Sequence, residues 1–463
     1  MIKKWVMSAW FVLIFGGVSL LAQAEPRLVE PVKIRVEQAA EYIGKTVVFE
    51  AEVEGVSKSP RSGLVYLNFG AAYPRQILSV KIPKENADIQ ANMRGAFGAM
   101  VRVVGIPLET KEGPVITVTD EARISFIESS PGKVLEEQGE SRTYRNRLGT
   151  VLGRMFQQKD YAGLEALAAK WRNEKTRMND GSWLLTLFYN NLDRHAGDGV
   201  GIVAQIAALE AWRKERPLAI EPVIASAELL VSFAWAARGT GYADTVTAEG
   251  GRLMNERLAL ARTTLDLLGG RFSECPRAAA VMQRIALGQG WSHAEYAALH
   301  NEATSREPEY LEYYFAASFR LLTRWYGEPG EWEEYSRHAA PGDFGVELAS
   351  RIPWSLTGYS HNIFRETAVR WENMRDGFEV MVRRFPDSVR NRSAYALFAG
   401  MAEDRTTCLR LLDELGDKLD MSLWVNWTNV DLARRWIADP SQPAPRIFKL
   451  YPKEEPEEAV EKL

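Results

Sequence analysis

The sequence predicts a multidomain protein in which a small all-β barrel is followed by an all-α helical-repeat domain. Between residues 28 and 130, short runs alternate apolar and polar side chains, which is the period-two pattern of half-buried strands. From residue 145 to residue 440 the apolar period becomes 3.6, the period of amphipathic helices. Residues 131–144 are mostly polar and separate the two patterns, so they are predicted to form a linker.

The first 24 residues have the three parts of a cleavable secretory signal peptide. Lys3 and Lys4 form a positive start, an apolar stretch runs from Trp5 to Leu21, and Ala22-Gln23-Ala24 supplies a small-x-small cleavage site. Glycines and serines interrupt the apolar stretch, which suits it poorly to spanning a membrane; an uncleaved anchor is the alternative. We therefore expect a periplasmic or secreted protein with no membrane span after cleavage.

Charge and cysteine content narrow the possible partners. The formal charge of the chain is −4, and removal of Lys3 and Lys4 with the signal takes it to −6. A mildly acidic protein has no general attraction to nucleic acids or anionic lipid, so no nucleic-acid partner is expected.

Cys275 and Cys408 could form a disulfide in an oxidising compartment. Buried thiols are the favoured interpretation, because only neighbouring repeats touch in a helical stack.

The β domain begins with a strand predicted from Lys45 to Val56. Val47, Phe49, Ala51 and Val53 are predicted to point to one face, and Val48, Glu50, Glu52 and Glu54 to the other. Further strands are predicted at Leu64–Phe69, Ile77–Ile82, Met100–Ile106, Val115–Val118 and Ile124–Ile127, with a helix within residues 83–93. Three strands, a helix and further strands follow the order of an OB-fold barrel.

Several runs in this domain resemble small OB-fold domains of exported bacterial proteins. They are Tyr42–Val47, Leu67–Gly70, Tyr73–Gln76 and Val101–Ile106. OB-folds commonly bind oligonucleotides or saccharides through stacked aromatic side chains, which makes Tyr66, Phe69 and Tyr73 candidate ligand-binding residues. The alternative is that these rings belong to the barrel core. Residues 28–130 carry 12 Lys and Arg against 13 Asp and Glu, which disfavours nucleic acid.

The helical domain is predicted to be built from helix pairs whose apolar faces stack on neighbouring pairs. Proline-containing connectors at Glu215-Arg216-Pro217 and Arg306-Glu307-Pro308 resemble the ends of degenerate tetratricopeptide units. Runs including Asp180-Gly181-Ser182-Trp183 and Phe385-Pro386-Asp387-Ser388 resemble an uncharacterised bacterial family of helical-repeat domains, although Thr323 stands where relatives tend to carry Pro. This resemblance implies a fold and no activity. Residues 441–463 are predicted to be a disordered tail.

No catalytic or metal-binding motif emerges from the sequence. His293 and His300 are seven residues apart, too far along one helix to share an ion, so no metal and no cofactor is expected. Arg324-Trp325 is the remaining candidate, because an arginine beside a tryptophan can form a cation–π or carboxylate-binding site. The alternative is that this pair only holds two repeats together.

These features favour a non-catalytic interaction or scaffold protein. The helical-repeat surface would bind a protein or peptide partner, and the OB-like barrel would serve as an accessory binding module. One alternative is an envelope-acting hydrolase whose site is assembled from dispersed carboxylates and arginines. The other is oligonucleotide or saccharide binding by the barrel.

Overall fold

The computed structural model describes residues 30–59, 62–71, 73–93, 96, 98–127, 131–136, 139–192, 199–239, 241, 245–360, 362–439 and 441–448. The predicted signal peptide lies outside these residues. Within them, none of the helices has the length and apolar content needed to cross a bilayer.

The N-terminal region contains nine strands in two sheets. The strands are β1 (Val32–Lys33), β2 (Val47–Glu52), β3 (Gly55–Lys58), β4 (Val65–Phe69), β5 (Leu78–Ile82), β6 (Met100–Gly105), β7 (Pro107–Thr110), β8 (Gly113–Thr117) and β9 (Ile124–Phe126). One sheet has the order β1-β2-β6-β9, and the other has the order β3-β4-β5-β8-β7. Among the described residues, the two sheets are separate and do not close into a barrel.

The strand predicted at residues 45–56 is two strands, because the chain leaves the first sheet after Glu52 and enters the second at Gly55. On β2 the predicted alternation is observed in part: Val47 and Phe49 are buried and Glu50 is exposed, but Val48 is buried as well. Phe49 meets Phe69 edge-on between the sheets, with 5.0 Å between ring centroids. The apolar faces of the two sheets therefore share one core.

The rest of the described chain is mostly helical. After the short helix α1 (Ala87–Asn92) of the β region come α2 (Pro131–Glu136), α3 (Arg142–Gln157), α4 (Tyr161–Asn173), α5 (Leu184–Leu192), α6 (Gly199–Glu215), α7 (Glu221–Arg238), α8 (Ala248–Asp266), α9 (Pro276–Gln289), α10 (His293–Arg306), α11 (Leu311–Arg320), α12 (Glu331–His338), α13 (Gly342–Leu356), α14 (Ile363–Glu366), α15 (Trp371–Arg384), α16 (Val389–Met401), α17 (Arg405–Leu415), α18 (Met421–Trp424) and α19 (Trp427–Ala438).

These helices pack mainly on their neighbours in the chain. Helix α7 lies along α8, α13 along α15, and α16 along α17. One continuous apolar core extends from Val134 to Phe448. This arrangement fits the predicted stacking of helix pairs, while a tetratricopeptide-type repeat remains a prediction.

Both ends of the helical region differ from the predicted boundaries. Helix α2 lies in the predicted linker, and α3 begins at Arg142, where the Ser141 hydroxyl accepts a hydrogen bond from the Tyr144 amide. Residues 441–448, assigned by sequence to a disordered tail, end in a turn that buries Phe448. Its ring lies 5.2 Å from that of Trp436, so the ordered core includes this residue.

The β region contacts the helices directly. The Thr143 hydroxyl of α3 donates a hydrogen bond to Glu52 of β2 at 2.6 Å. Arg75, in the connection between β4 and β5, stacks its guanidinium 4.3 Å from the Trp427 ring of α19. The same guanidinium lies 3.3 Å from an oxygen of Asp417. These contacts join the β region to α3 and to the C-terminal helices, and a groove lies beside them.

Candidate functional site

Three adjoining cavities form a groove that begins between the β region and the helices and continues into the helical region. We call them the sheet cavity (about 920 Å³), the interface cavity (about 720 Å³) and the arginine chamber (about 510 Å³). Arg142 and Ser422 line all three, so the cavities adjoin one another at these residues. Cavities of this size accommodate several amino-acid side chains.

The sheet cavity has a polar floor with aromatic side chains. Alternation along β4 directs Val65, Leu67 and Phe69 into the core, and Tyr66 and Asn68 into the cavity. The Ser79 hydroxyl of β5 donates a hydrogen bond to the Asn68 side-chain oxygen at 3.0 Å. Both of these residues are buried, so the pair forms a fixed polar surface beneath the cavity.

The three aromatic residues predicted to bind a ligand, Tyr66, Phe69 and Tyr73, do not all lie in the same place. Tyr66 and Tyr73 line the sheet cavity, and Tyr73 is 50% exposed. Phe69 is fully buried on the opposite face of β4. The structure thus brings together two of the predicted residues, and it places the third in the core, which was the alternative.

A strained turn at the helical side of the sheet cavity projects Val425 into the groove. Val425 has φ +68° and ψ −53°, the conformation of a γ-turn that β-branched residues rarely adopt. The turn is closed by the Asn426 amide, which donates to the Trp424 carbonyl at 2.8 Å. Trp424 is buried, and its indole donates to the Ser393 carbonyl. The buried tryptophan therefore anchors a turn whose apolar tip is 64% exposed.

The arginine chamber lies within the helical region and is lined by Arg142, Arg145, Arg351 and Arg390. Asp180 is the carboxylate among its lining residues. The side chains of Arg145 and Arg390 are 27% and 26% exposed, whereas that of Asp180 is only 5% exposed. Arg145 and Arg390 are therefore partly accessible from the cavity, while the Asp180 carboxylate beside them is buried, as is the Arg351 side chain.

Asp180 organises these arginines through both its side chain and its backbone. One carboxylate oxygen accepts a hydrogen bond from Arg145 and lies 3.9 Å from Nε of Arg390. The Asp180 carbonyl accepts hydrogen bonds from Arg351 at 2.5 Å and from the Asn391 side chain at 3.3 Å. A buried acceptor that bonds several donors fixes their geometry. The loop carrying Asp180 thus determines the shape of the chamber.

This loop is held by a glycine in close contact with the end of α15. Gly181 has φ +86°, which favours glycine, and a β-carbon there would lie 2.5 Å from the Phe385 ring and 2.8 Å from Nη2 of Arg351. Asp180-Gly181-Ser182-Trp183 and Phe385-Pro386-Asp387-Ser388, quoted above only for their resemblance, therefore meet beside the chamber.

Next to the chamber, ion pairs join α13, α15, the loop before α11 and the loop after α4. Glu347 accepts hydrogen bonds from Arg351 and from Arg384, the latter at 2.5 Å. Arg384 also bonds Glu309, which in turn accepts from Arg177 at 2.7 Å. In this network each carboxylate is paired with at least one guanidinium, and the paired hydrogen bonds fix the side chains in place.

Trp354 and Phe315 form an apolar part of the chamber wall. The Arg390 guanidinium lies 5.3 Å from the Trp354 ring centroid and donates hydrogen bonds to Asp420 and Ser422. The chamber thus offers cationic groups beside an aromatic surface, a combination suited to a carboxylate carried on a partly apolar side chain.

The interface cavity has the opposite electrostatic character. Its lining carboxylates are Glu52, Glu54, Glu140, Asp387, Asp417 and Asp420, against the cationic Arg75, Arg142, Arg390 and Lys418. Burial, reinforced by the charge of Glu52, raises the pKa of Glu54. Burial also raises the pKa of Glu140, although hydrogen bonds from Ser388 and the Arg390 amide oppose this shift. The groove is therefore positive at the chamber and negative beside it.

Arg324 and Trp325 do not line any of these three cavities. The Trp325 ring meets that of Trp235 edge-on at 5.2 Å, and Arg238 lies 4.8 Å from the Trp325 ring centroid. Arg324 lies 5.7 Å from the Tyr359 ring centroid. These contacts join α7 to the segment after α11. They agree with the alternative interpretation of Arg324 and Trp325, in which the two residues hold parts of the helical region together and bind no ligand.

The described histidines, His293, His300 and His338, and both cysteines do not line the groove. His300 is mostly buried, which lowers its pKa to about 4, and its ring nitrogens contact Gln283 and Tyr335. Cys275 and Cys408 are both buried free thiols. Within the described chain, no cluster of His, Cys, Asp and Glu has the arrangement of a metal site. His195 and His361 lie outside the described residues.

Sequence reasoning missed the arginines of the chamber and Asp180 as functional candidates. Each of these arginines has the sequence context of an ordinary surface residue, and the four are spread from Arg142 to Arg390. The available signal was the two quoted runs around Gly181 and Phe385, which mark the loops that shape the chamber.

Comparisons of the chain with protein-family models, curated proteins and solved structures find no match.

Proposed function

We propose that this is an exported, non-catalytic binding protein whose groove takes an extended peptide segment of a partner. The observation that carries this proposal is the lining of the sheet and interface cavities, because residues of the β region and of the helical region line both of them together. Sites for extended peptides combine a fixed polar surface with pockets for alternate side chains. The Asn68–Ser79 floor and the adjoining cavities have these properties.

The aromatic and apolar groups of the sheet cavity support the same proposal. Tyrosines exposed at a cavity provide contact area with little loss of side-chain entropy, which is why binding surfaces are enriched in them. Tyr66 and Tyr73 occupy one side of the sheet cavity, and the Val425 tip occupies the other. A peptide lying between them would contact both regions of the protein.

A peptide-library selection tests this function. The immobilised protein would be exposed to displayed dodecamers, and enriched peptides would be titrated against the wild type and a Tyr73→Ala variant. We expect the variant to bind about tenfold more weakly, since interface tyrosines often contribute more than 1 kcal/mol. Tyr359→Ala is the matched control, because Tyr359 is also 50% exposed but lies outside the groove. Failure to enrich any peptide, or equal losses in both variants, would refute the proposal.

An envelope-acting hydrolase is the second candidate function. It is favoured by Glu54 and Glu140, two carboxyl groups with raised pKa values in a groove that also contains arginines. If either carboxyl acts as a general acid, Glu54→Gln or Glu140→Gln would abolish hydrolysis of bound peptides while leaving their affinity measurable. If the wild type leaves bound peptides intact during prolonged incubation, as shown by mass spectrometry, the hydrolase hypothesis is excluded for these ligands.

A further inference from the structure

We propose that the arginine chamber binds a carboxylate of the peptide in the groove, so that the protein selects acidic peptide segments. This inference rests on the peptide-binding function and adds the chemical class of the ligand. Its starting point is that four arginines line one cavity, with Asp180 as the lining carboxylate. A carboxylate entering the chamber would meet donors from more than one helix.

The guanidiniums are oriented before any ligand arrives. Arg145 donates through Nε to the Glu140 carbonyl and through Nη2 to Asp180, while Arg390 donates through Nη1 to Asp420. A guanidinium has five N–H donors in a rigid fork, so these contacts leave donors directed elsewhere. Because the side chains are already ordered, a ligand carboxylate would lose little affinity to the cost of fixing them.

The chamber walls fit a carboxylate on a side chain better than a bare anion. Trp354 and Phe315 provide apolar surface, and the hydroxyls of Ser182, Ser355 and Ser422 add hydrogen-bonding groups. A glutamate or aspartate side chain, or the last residue of a peptide, has a short apolar part next to its carboxylate. The apolar part can pack on the rings while the carboxylate forms paired hydrogen bonds with an arginine.

The neighbouring interface cavity disfavours long polyanions. A nucleic acid that placed one phosphate in the chamber would bring further phosphates against Glu52, Glu54 and Asp420. The negative phosphates and carboxylates would repel each other, most strongly where burial reduces solvent screening. A peptide with one localised acidic group avoids this repulsion. Charge therefore favours an acidic peptide over a nucleic acid.

Two labelled peptide pools test the inference. Both contain dodecamers of matched composition, but one carries Asp and Glu where the other carries Asn and Gln. In fluorescence-anisotropy titrations we expect the acidic pool to bind the wild-type protein at least about tenfold more tightly, because charge-assisted hydrogen bonds are about twice as strong as neutral ones. Pools with free and amidated C-termini distinguish a terminal carboxylate from a side-chain carboxylate.

Variants of the chamber connect this preference to its arginines. Arg142→Gln and Arg390→Gln are expected to remove most of the preference for the acidic pool, measured as the ratio of the affinities for the two pools. Urea unfolding of each variant checks separately that it is folded. Arg390→Lys keeps the charge but loses the planar fork, and it should retain only part of the preference. Arg383→Gln is the matched control, because Arg383 forms an exposed ion pair with Asp343 and does not line the chamber.

Each outcome has a distinct meaning. Equal binding of both pools would overturn the carboxylate inference but leave the peptide-binding function standing. Binding of neither pool would overturn the peptide-binding function, and the inference with it. If inorganic phosphate displaces the acidic pool as effectively as an unlabelled acidic peptide, the chamber is a general anion site and the peptide assignment is wrong. A preference that survives in both Arg→Gln variants would place the carboxylate elsewhere.

Discussion

Replacing Gly181 with alanine should destabilise the protein through two separable effects. Its φ of +86° costs an alanine roughly 1–2 kcal/mol, because a β-carbon in this conformation crowds the backbone. The new β-carbon would also lie 2.5 Å from Cζ of Phe385 and 2.8 Å from Nη2 of Arg351, so these groups must move. Overpacking of this kind typically costs about 1–3 kcal/mol. The expected loss in free energy of unfolding is therefore about 2–5 kcal/mol.

Gly330→Ala isolates the packing contribution. Gly330 has φ +87°, so it carries the same conformational cost, but its β-carbon would meet no atom within 4 Å. Urea unfolding followed by tryptophan fluorescence should give a loss about 1–3 kcal/mol larger for Gly181→Ala than for Gly330→Ala. The Gly181 variant should also lose preference for acidic peptides, because Arg351 is displaced. Equal losses of stability in the two variants would refute the tight contact between the Gly181 loop and Phe385.

Three further predictions concern the buried end of the chain, the groove and the thiols. Phe448→Ala should lower the free energy of unfolding by about 3–5 kcal/mol, because the Phe448 ring is buried; a change within about 0.5 kcal/mol would show that residues 441–448 are not part of the core. Burial and the charge of Glu52 raise the pKa of Glu54 above its ordinary value of 4.5, so the Glu54 carboxyl binds its proton more strongly in the folded state than in the unfolded state. The wild type should therefore lose stability as the pH rises above 4.5. Glu54→Gln should therefore have a higher melting temperature than the wild type at pH 7, and this difference should disappear as the pH falls below 4.5; a constant difference would contradict the titration of Glu54. Native protein should not react with a thiol reagent such as DTNB, whereas denatured protein should expose the thiols of Cys275 and Cys408; a lack of reaction after denaturation would indicate a disulfide.

Local periodicity was enough to predict β4, β5, β6, β8 and β9 and the direction of many side chains, whereas β1 and β7 were not predicted. Along β2, the apolar residues Val47 and Phe49 are buried, as their two-residue spacing predicts. The same reasoning explains why Tyr66 and Phe69 do not form one platform. They are three residues apart on one strand, so their side chains must point to opposite faces. Strand parity separates them without any knowledge of the tertiary structure.

The junction after β2 was harder to predict, because its cause is not local. Val53 is buried and continues the apolar alternation of β2, so the sequence reads as one strand through to Val56. In the structure the chain changes sheets at this point, and the Val53 amide bonds the Ala99 carbonyl while the Glu54 amide bonds the Asn68 carbonyl. Pairing with two different partner segments decides where one strand ends and the next begins.

The arginine chamber could not be predicted from sequence patterns. Arg145 and Arg390 are separated in sequence by most of the helical region, and they come together only because the fold brings both to the same carboxylate oxygen of Asp180. Helix periodicity shows which face of a helix is apolar, but it does not show which polar residues of distant helices share a cavity. The tail boundary was missed for a related reason, since Phe448 stands among prolines and polar residues and is buried only by contacts with distant helices.

The acidic stripe of the first strand acquires a more specific role once the groove is known. From the sequence, Glu50, Glu52 and Glu54 argued only against nucleic acid as a ligand of the barrel. In the structure Glu50 pairs with Lys33 and Arg102, whereas Glu52 and Glu54 line the groove beside the arginine chamber. Discrimination between ligands often depends on such a repulsive element as well as an attractive one. In our proposal, therefore, the helical region provides the attraction for one carboxylate, and the β region limits how much negative charge can accompany it.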